Sequence, residues 1–236
     1  KEKELSTGIT RPLKLLLEKD GVRASAVFRS VSEEKKNVSF ARGKSELFFR
    51  DSYLFEPAAY DLSLLLGLDN VPPVTLRKHS GKSGSVQIWV EGAMTETDRL
   101  EKKIEPPDVQ RWDKQIQTMN VFDAVVYNTD RNKGNMLITP DWKVWMIDHT
   151  RAFRLHKRPQ SPEGLRQCER HLYAKLGSLD EALVMKRLTP YLKKIEIEAI
   201  IARSKVVVER MKTLIAERGE GLVLYDRDEP ALPPKD

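Results

Sequence analysis

The chain is poor in cysteine, in aromatic residues and in long apolar runs, and each shortage removes a class of protein. Its one cysteine, Cys168, cannot close an internal disulfide, so nothing adapts it to an oxidising compartment and a cytoplasmic setting is expected. No stretch approaches the roughly 18 apolar residues that span a bilayer, which argues against a transmembrane segment. The four histidines, His79, His149, His156 and His171, show no ligand spacing, and with a lone thiol they offer no zinc set. Aromatic residues make up 7%, and no helix-turn-helix, RNA-recognition or zinc-finger signature occurs, so the pI of about 9.3 is weak ground for nucleic-acid binding. Lys1 to Ser6 lack the apolar core of a signal peptide, and a start at lysine leaves targeting open.

What is present suits a globular enzyme. With 236 residues the chain can form one large domain or two small lobes around a cleft, and its net charge of +6 suits an anionic ligand such as a nucleotide. Alternation in Leu13/Leu15/Leu17 and Val22/Ala24/Ala26/Phe28, with Asp20-Gly21 between, predicts a β-hairpin. A polar stretch ends near Arg42-Gly43-Lys44, and Tyr53 to Leu66 then reads as a helix stopped by Gly67. Val71 to Arg77 and Val86 to Val90 read as strands around a turn at Ser80 to Ser85, and Glu91 to Pro107 as a charged connector. Asp108 caps a helical run through Val126, interrupted on its apolar stripe by Asp123. Met136 to Ile138 and Val144 to Ile147 form a second hairpin through Thr139-Pro140-Asp141, and helices follow from Ser178 to Leu188 and from Ile195 to Arg218, closed by Gly219. The expected fold is α+β and two-lobed. A small antiparallel sheet with a helix occupies 1–91, a mainly helical lobe 92–225, and a flexible tail 226–236.

The chemistry concentrates in Tyr127-Asn128-Thr129-Asp130-Arg131-Asn132-Lys133-Gly134-Asn135 and in Ile147-Asp148-His149. Phosphoryl transfer needs a carboxylate for the acceptor hydroxyl and hard oxygen ligands for Mg²⁺. Asp130, Asn135 and Asp148 supply these groups, and the intervening hairpin folds Asp148 back beside Asn135. Turn chemistry alone also gathers Asn, Asp and Gly, so it is the pair of motifs that carries weight.

These motifs, with Ala152-Phe153 after them, resemble the core of type II phosphatidylinositol 4-kinases and their bacterial relatives, and more distantly HipA-type and Golgi casein kinases. The resemblance implies an atypical kinase using ATP and Mg²⁺, with Mn²⁺ as a substitute. Asp130 would be catalytic, with Arg131 and Asn132 supporting its loop, and Asn135 and Asp148 would hold the metal. It further implies that Glu56 pairs with a cation at the end of the second strand, where Arg29 stands in place of the family's lysine. Gly8 and Thr10 would cover the phosphates, and Trp89, Val90 and Glu91 would receive the adenine. Arginine keeps the charge but has a bulkier, planar head, so a catalytically impaired kinase-fold binding module is the competing expectation. The acceptor, whether protein, lipid or small molecule, is not specified by these residues.

Overall fold

The structure, a computed structural model, describes residues 2–4, 12–39 and 45–227. Strands β1 (Glu2–Glu4), β2 (Leu13–Lys19), β3 (Val22–Arg29), β6 (Val74–His79) and β7 (Lys82–Ile88) form one antiparallel sheet in the order β1-β2-β3-β7-β6. The β2–β3 turn falls at Asp20-Gly21 as expected, both residues at positive φ, which matches the right-handed twist of the strands it joins. The β6–β7 turn is tighter than the sequence suggests, because Ser80-Gly81 alone makes it and Lys82 is already paired with His79.

Side chains alternate across this sheet. Leu15, Ala26, Phe28 and Val86 pack together on one face. Val27 and Arg29 belong to the other, paired in register with Gln87 and Ser85. Gly84 permits this arrangement: a Cβ there would lie 2.3 Å from the Arg29 carbonyl oxygen and 2.5 Å from the Phe28 ring.

Two stretches expected to be irregular are ordered elements. After β3 the chain forms a separate antiparallel hairpin, β4 (Ser32–Ser39) with β5 (Ser45–Ser52). Its opening, Ser32-Glu33-Glu34-Lys35, has no apolar alternation to reveal it. The ribbon satisfies its own backbone and is tied to the molecule by ion pairs from Glu34 to Lys193 and from Arg50 to Glu196. Within the expected connector lie β8 (Met94–Thr95) and α2 (Glu96–Glu101). A six-residue helix is too short to show a period; its signal is the reciprocal cap, in which the Thr95 hydroxyl accepts from the Asp98 amide and the Asp98 carboxylate accepts from the Thr95 amide.

Helix α1 (Phe55–Leu65) tolerates Pro57 in its first turn and ends at Gly67, φ +71°. Helix α3 (Val109–Val126) starts at its Asp108 cap, as expected. Strands β9 (Met136–Ile138) and β10 (Val144–Met146) form the expected hairpin, with β8 on the outer side of β9. Beyond them come β11 (Cys168–Glu169), α4 (Arg170–Gly177), α5 (Glu181–Leu188), α6 (Lys194–Arg218), α7 (Glu220–Val223) and β12 (Leu224–Tyr225). Ser178 is the C-cap of α4, and α5 begins three residues later behind its own Asp180 cap. Gly219 closes α6 with positive φ but extended ψ, so it is not the left-handed cap the sequence suggests. Of the expected tail, Asp226 and Arg227 are tied to Arg170 and Glu169, and 228–236 lie outside the described residues.

The main core joins α1, α3 and α6 through Phe55, Leu62, Phe122, Val125, Ile197, Ile200 and Met211, all fully buried. Each such side chain contributes roughly 2–3 kcal/mol of transfer free energy, which makes α3 a rigid base for the loop that leaves its end. No helix among the described residues is long and apolar enough to cross a membrane.

Candidate functional site

Helix α3 ends on Tyr127 in the left-handed conformation, φ 51° and ψ 57°, an uncommon state for a bulky residue. The turn is held by Asn128, whose amide donates to the Asp123 carbonyl and whose side chain donates to the Asp123 carboxylate. Asn128 Oδ1 in turn accepts from the Asp130 amide at 3.0 Å. Asn132 then caps a single 3-10 turn, Lys133–Asn135, and the Asn135 side-chain amide donates to the Asp130 carbonyl at 2.8 Å. The Ile147 amide donates to the Asn135 carbonyl at 3.2 Å, so the β9–β10 hairpin returns the chain to Asn135 just before Asp148. Asp130, Asn135 and the Asp148 backbone are thereby gathered at one place. Asp148 itself has φ 58°, as does Phe153 five residues on.

Arg131 is the fastener of this junction. Its guanidinium donates to both Asp123 carboxylate oxygens, to the carbonyls of Asn135 and Ile147, and to His149 Nε2 at 3.0 Å. An arginine has no lone pair to offer, so His149 Nε2 is the acceptor and the ring proton of the neutral imidazole sits on Nδ1. That nitrogen faces the Glu56 carboxylate at 3.8 Å, too long for a hydrogen bond. Asp123, the one polar residue in the α3 stripe, was the visible trace of this arrangement in the sequence.

Arg29, from the end of β3, is 7% exposed and Glu56, from α1, is fully buried. Arg29 Nε lies 3.5 Å from Glu56 and Nη2 lies 3.8 Å from Asp148. Burial works against the Arg29 charge, but Glu56, Asp148 and Asp51 together more than offset it and raise its pKa. Burial likewise opposes ionisation of Glu56, and the Arg29 charge is the largest of the interactions that overcome it, holding the carboxyl below the usual range. Arg29 Nε and Nη1 are buried and have no hydrogen-bond partner.

The hairpin brings in Asp51, which sequence reasoning missed, and sets it against Arg151. The Ser52 amide donates to the Thr150 carbonyl at 2.9 Å, and Asp51 lies 3.6 Å from Arg151 Nε. Arg151 Nη1 in turn donates to Asp130 Oδ2 at 3.3 Å. The Thr150 hydroxyl donates to Asp148 Oδ1. Burial, with Asp148 adding to it, raises the Asp51 pKa against the opposing pull of Thr150 and Arg151. Four carboxylates, Asp51, Glu56, Asp130 and Asp148, thus share the region with two guanidinium groups, Arg29 and Arg151. Carboxylates outnumber guanidinium groups here, although among the described residues no group of three or more His, Cys, Asp or Glu is placed to hold a metal ion, and Arg29 Nε and Nη1 are buried without a hydrogen bond.

The remaining expected positions are less informative. Gly8 and Thr10 lie outside the described residues. Trp89 follows β7, its amide donating to Ser25 and its ring covered by the Lys14 ammonium at 3.7 Å; Val90 is half-buried and Glu91 exposed. A groove of about 480 Å³ lies elsewhere, lined by Arg158, Glu163, Lys205 and Arg210 among others. Arg158 and Glu163 are exposed and pair with each other, and Arg210 is taken up by the Leu165 and Glu163 carbonyls. Convergent polar groups, rather than groove size, mark the site around Asp130.

No protein family and no curated protein matches this sequence. Among solved structures, the chain is similar to the crystal structure of CtkA, a proinflammatory kinase of Helicobacter pylori, with a TM-score of 0.52 and 12% identity over 92% of each chain. The chain has a kinase-like α+β fold.

Proposed function

We propose that this chain is an ATP-dependent phosphotransferase that moves a γ-phosphate to a hydroxyl acceptor. The observation that carries the reading is Arg29, a buried guanidinium ion-paired with Glu56 and Asp148 beside the Asp130–Asn135 loop, two of whose nitrogens, Nε and Nη1, make no hydrogen bond. A buried donor without an acceptor costs roughly 1–3 kcal/mol, more for a charged group, and a phosphate oxygen relieves that cost with a charge-assisted bond.

In this reading Asp130 orients and deprotonates the acceptor hydroxyl, Asn135 and Asp148 hold Mg²⁺, and Arg29, fixed by Glu56, steadies the phosphates. The metal supplies charge neutralisation on the phosphates when bound. Trp89, Val90 and Glu91 are the proposed base-binding segment, in a cleft between a first lobe at 1–91 and a second at 92–225. Arg131 and Asn132 shape the loop: Arg131 through Asp123 and the two carbonyls it binds, Asn132 through its contact with the Asp130 carboxylate. Likeness to a kinase at low identity leaves the acceptor open to proteins, lipids and small molecules.

Mg²⁺-dependent ATP hydrolysis or autophosphorylation tests the proposal. Asp130→Ala should lower the rate by about 10²–10⁴-fold while nucleotide binding persists, in line with the usual worth of a positioned base. Nucleotide binding with equal, background turnover in both proteins would favour the second reading, a kinase-fold binding module, for which the arginine at position 29 is the motivation.

A further inference from the structure

Resting on the phosphotransfer reading, we infer that Arg151 and Asp51 are positioning residues for the acceptor side of the site: Asp51 orients Arg151, and Arg151 orients the Asp130 carboxylate. The two Asp130 oxygens are served separately, Oδ2 by Arg151 Nη1 at 3.3 Å and Oδ1 by the Asn132 side-chain amide at 3.3 Å. One donor on each oxygen fixes the plane of the carboxylate and leaves lone pairs for an incoming hydroxyl. The Asp130 side chain is 35% exposed, so that hydroxyl has a way in.

An arginine over a catalytic carboxylate could equally be a plug that must swing away. The backbone argues for a fixed brace. The Arg151 carbonyl accepts from the Thr129 hydroxyl at 3.1 Å, which binds the residue to the same loop that carries Asp130. One residue earlier, the Thr150 carbonyl is held by the Ser52 amide and its hydroxyl by Asp148. Just after it, the Ala152 amide donates to the His149 carbonyl and the Phe153 amide to the Val126 carbonyl. The side chain is caught from the far side by Asp51, which β5 presents from a buried position. The site thus has a third structural support, the β4–β5 hairpin, besides the α3 loop and the β9–β10 hairpin.

The experiment compares wild type, Asp51→Asn, Arg151→Met, Arg151→Lys and the Asp51→Asn/Arg151→Met double variant of the full chain. Its readouts are steady-state ATP turnover with Mg²⁺, equilibrium binding of a non-hydrolysable ATP analogue and thermal unfolding. Asp51→Asn and Arg151→Met should each lower kcat at least tenfold with the analogue's Kd within twofold of wild type, and Arg151→Lys should recover part of the loss. The double variant should be no slower than the slower single, because the two residues act in series. Faster turnover in Arg151→Met would make the arginine a plug and overturn the inference. So would a wild-type kcat in Asp51→Asn, or losses that multiply in the double variant. Equal background rates in wild type and Asp130→Ala would instead overturn the phosphotransfer reading, and this inference with it.

Discussion

At the scale of single residues, the site is a set of charges held where burial opposes them. Arg29 favours the ionised form of Glu56, while Glu56, Asp148 and Asp51 favour the Arg29 charge, so the loss of Arg29 or Glu56 would leave a poorly compensated charge in the core. Asp51 is the exception, since its surroundings leave its pKa raised. A carboxyl with a raised pKa binds its proton more readily in the folded than in the unfolded chain. Its contribution to stability is therefore most favourable below the unfolded value near 3.9 and falls as pH rises through the folded value. Because the folded chain holds the Asp51 proton more readily than the unfolded chain, Asp51→Asn should unfold at a higher temperature than wild type at pH 7, with the gap narrowing as the pH is lowered. Differential scanning calorimetry at pH 7 and pH 4 checks this, and a variant less stable than wild type at pH 7 contradicts it. Stability gained where turnover is lost is the pattern expected of a residue kept for function.

At the scale of elements, the end of β3 depends on a residue with no side chain. Gly84→Ala would drive a methyl group into the Arg29 carbonyl and the Phe28 ring, and because the nearer obstacle is backbone, the strand must move. The expected cost is about 1–3 kcal/mol of stability, as for other overpacked sites, together with weaker ATP binding as Arg29 shifts. Urea unfolding and nucleotide titration of the variant measure the two effects; unchanged nucleotide affinity would detach Gly84 from the site. The elements also differ in how plainly the sequence announces them. Asp20-Gly21, the Asp108 cap and the apolar halves of β9 and β10 are local signals, and the structure places those elements as expected. The Asp130, Asn135 and Asp148 bends could be read for the same reason, since a hairpin of known length joins them. Asp51 and Arg151 could not. Their meeting depends on a hairpin that opens on charged residues and whose partners lie about a hundred residues away, and no short-range pattern encodes such a contact. Glu56 was legible only through resemblance, because a buried carboxylate in a helix looks like any surface glutamate until its neighbours are known.

At the scale of the whole molecule, one core unites the helices, and Cys168 lies within it. Burial pushes its thiol up to about 12, so almost none is thiolate at neutral pH and an alkylating reagent has neither access nor a nucleophile. Modification of Cys168 should therefore follow unfolding, and Mg²⁺ with an ATP analogue should slow it by a factor of 1 plus the ratio of free analogue to its Kd. Mass spectrometry over a urea series, with and without nucleotide, provides the measurement; prompt labelling of the folded chain would show that the core opens locally there. The β4–β5 ribbon has the widest reach. It separates Arg29 from Glu56 in the chain, and its eight-residue strands, at about 3.3 Å per residue, extend some 26 Å from a base bonded to Thr150. Mechanically this is a lever whose fulcrum lies at the proposed site. A ligand, an antibody or a neighbouring chain that grips the far arm would apply torque to Arg151, and through it to Asp130, without touching either.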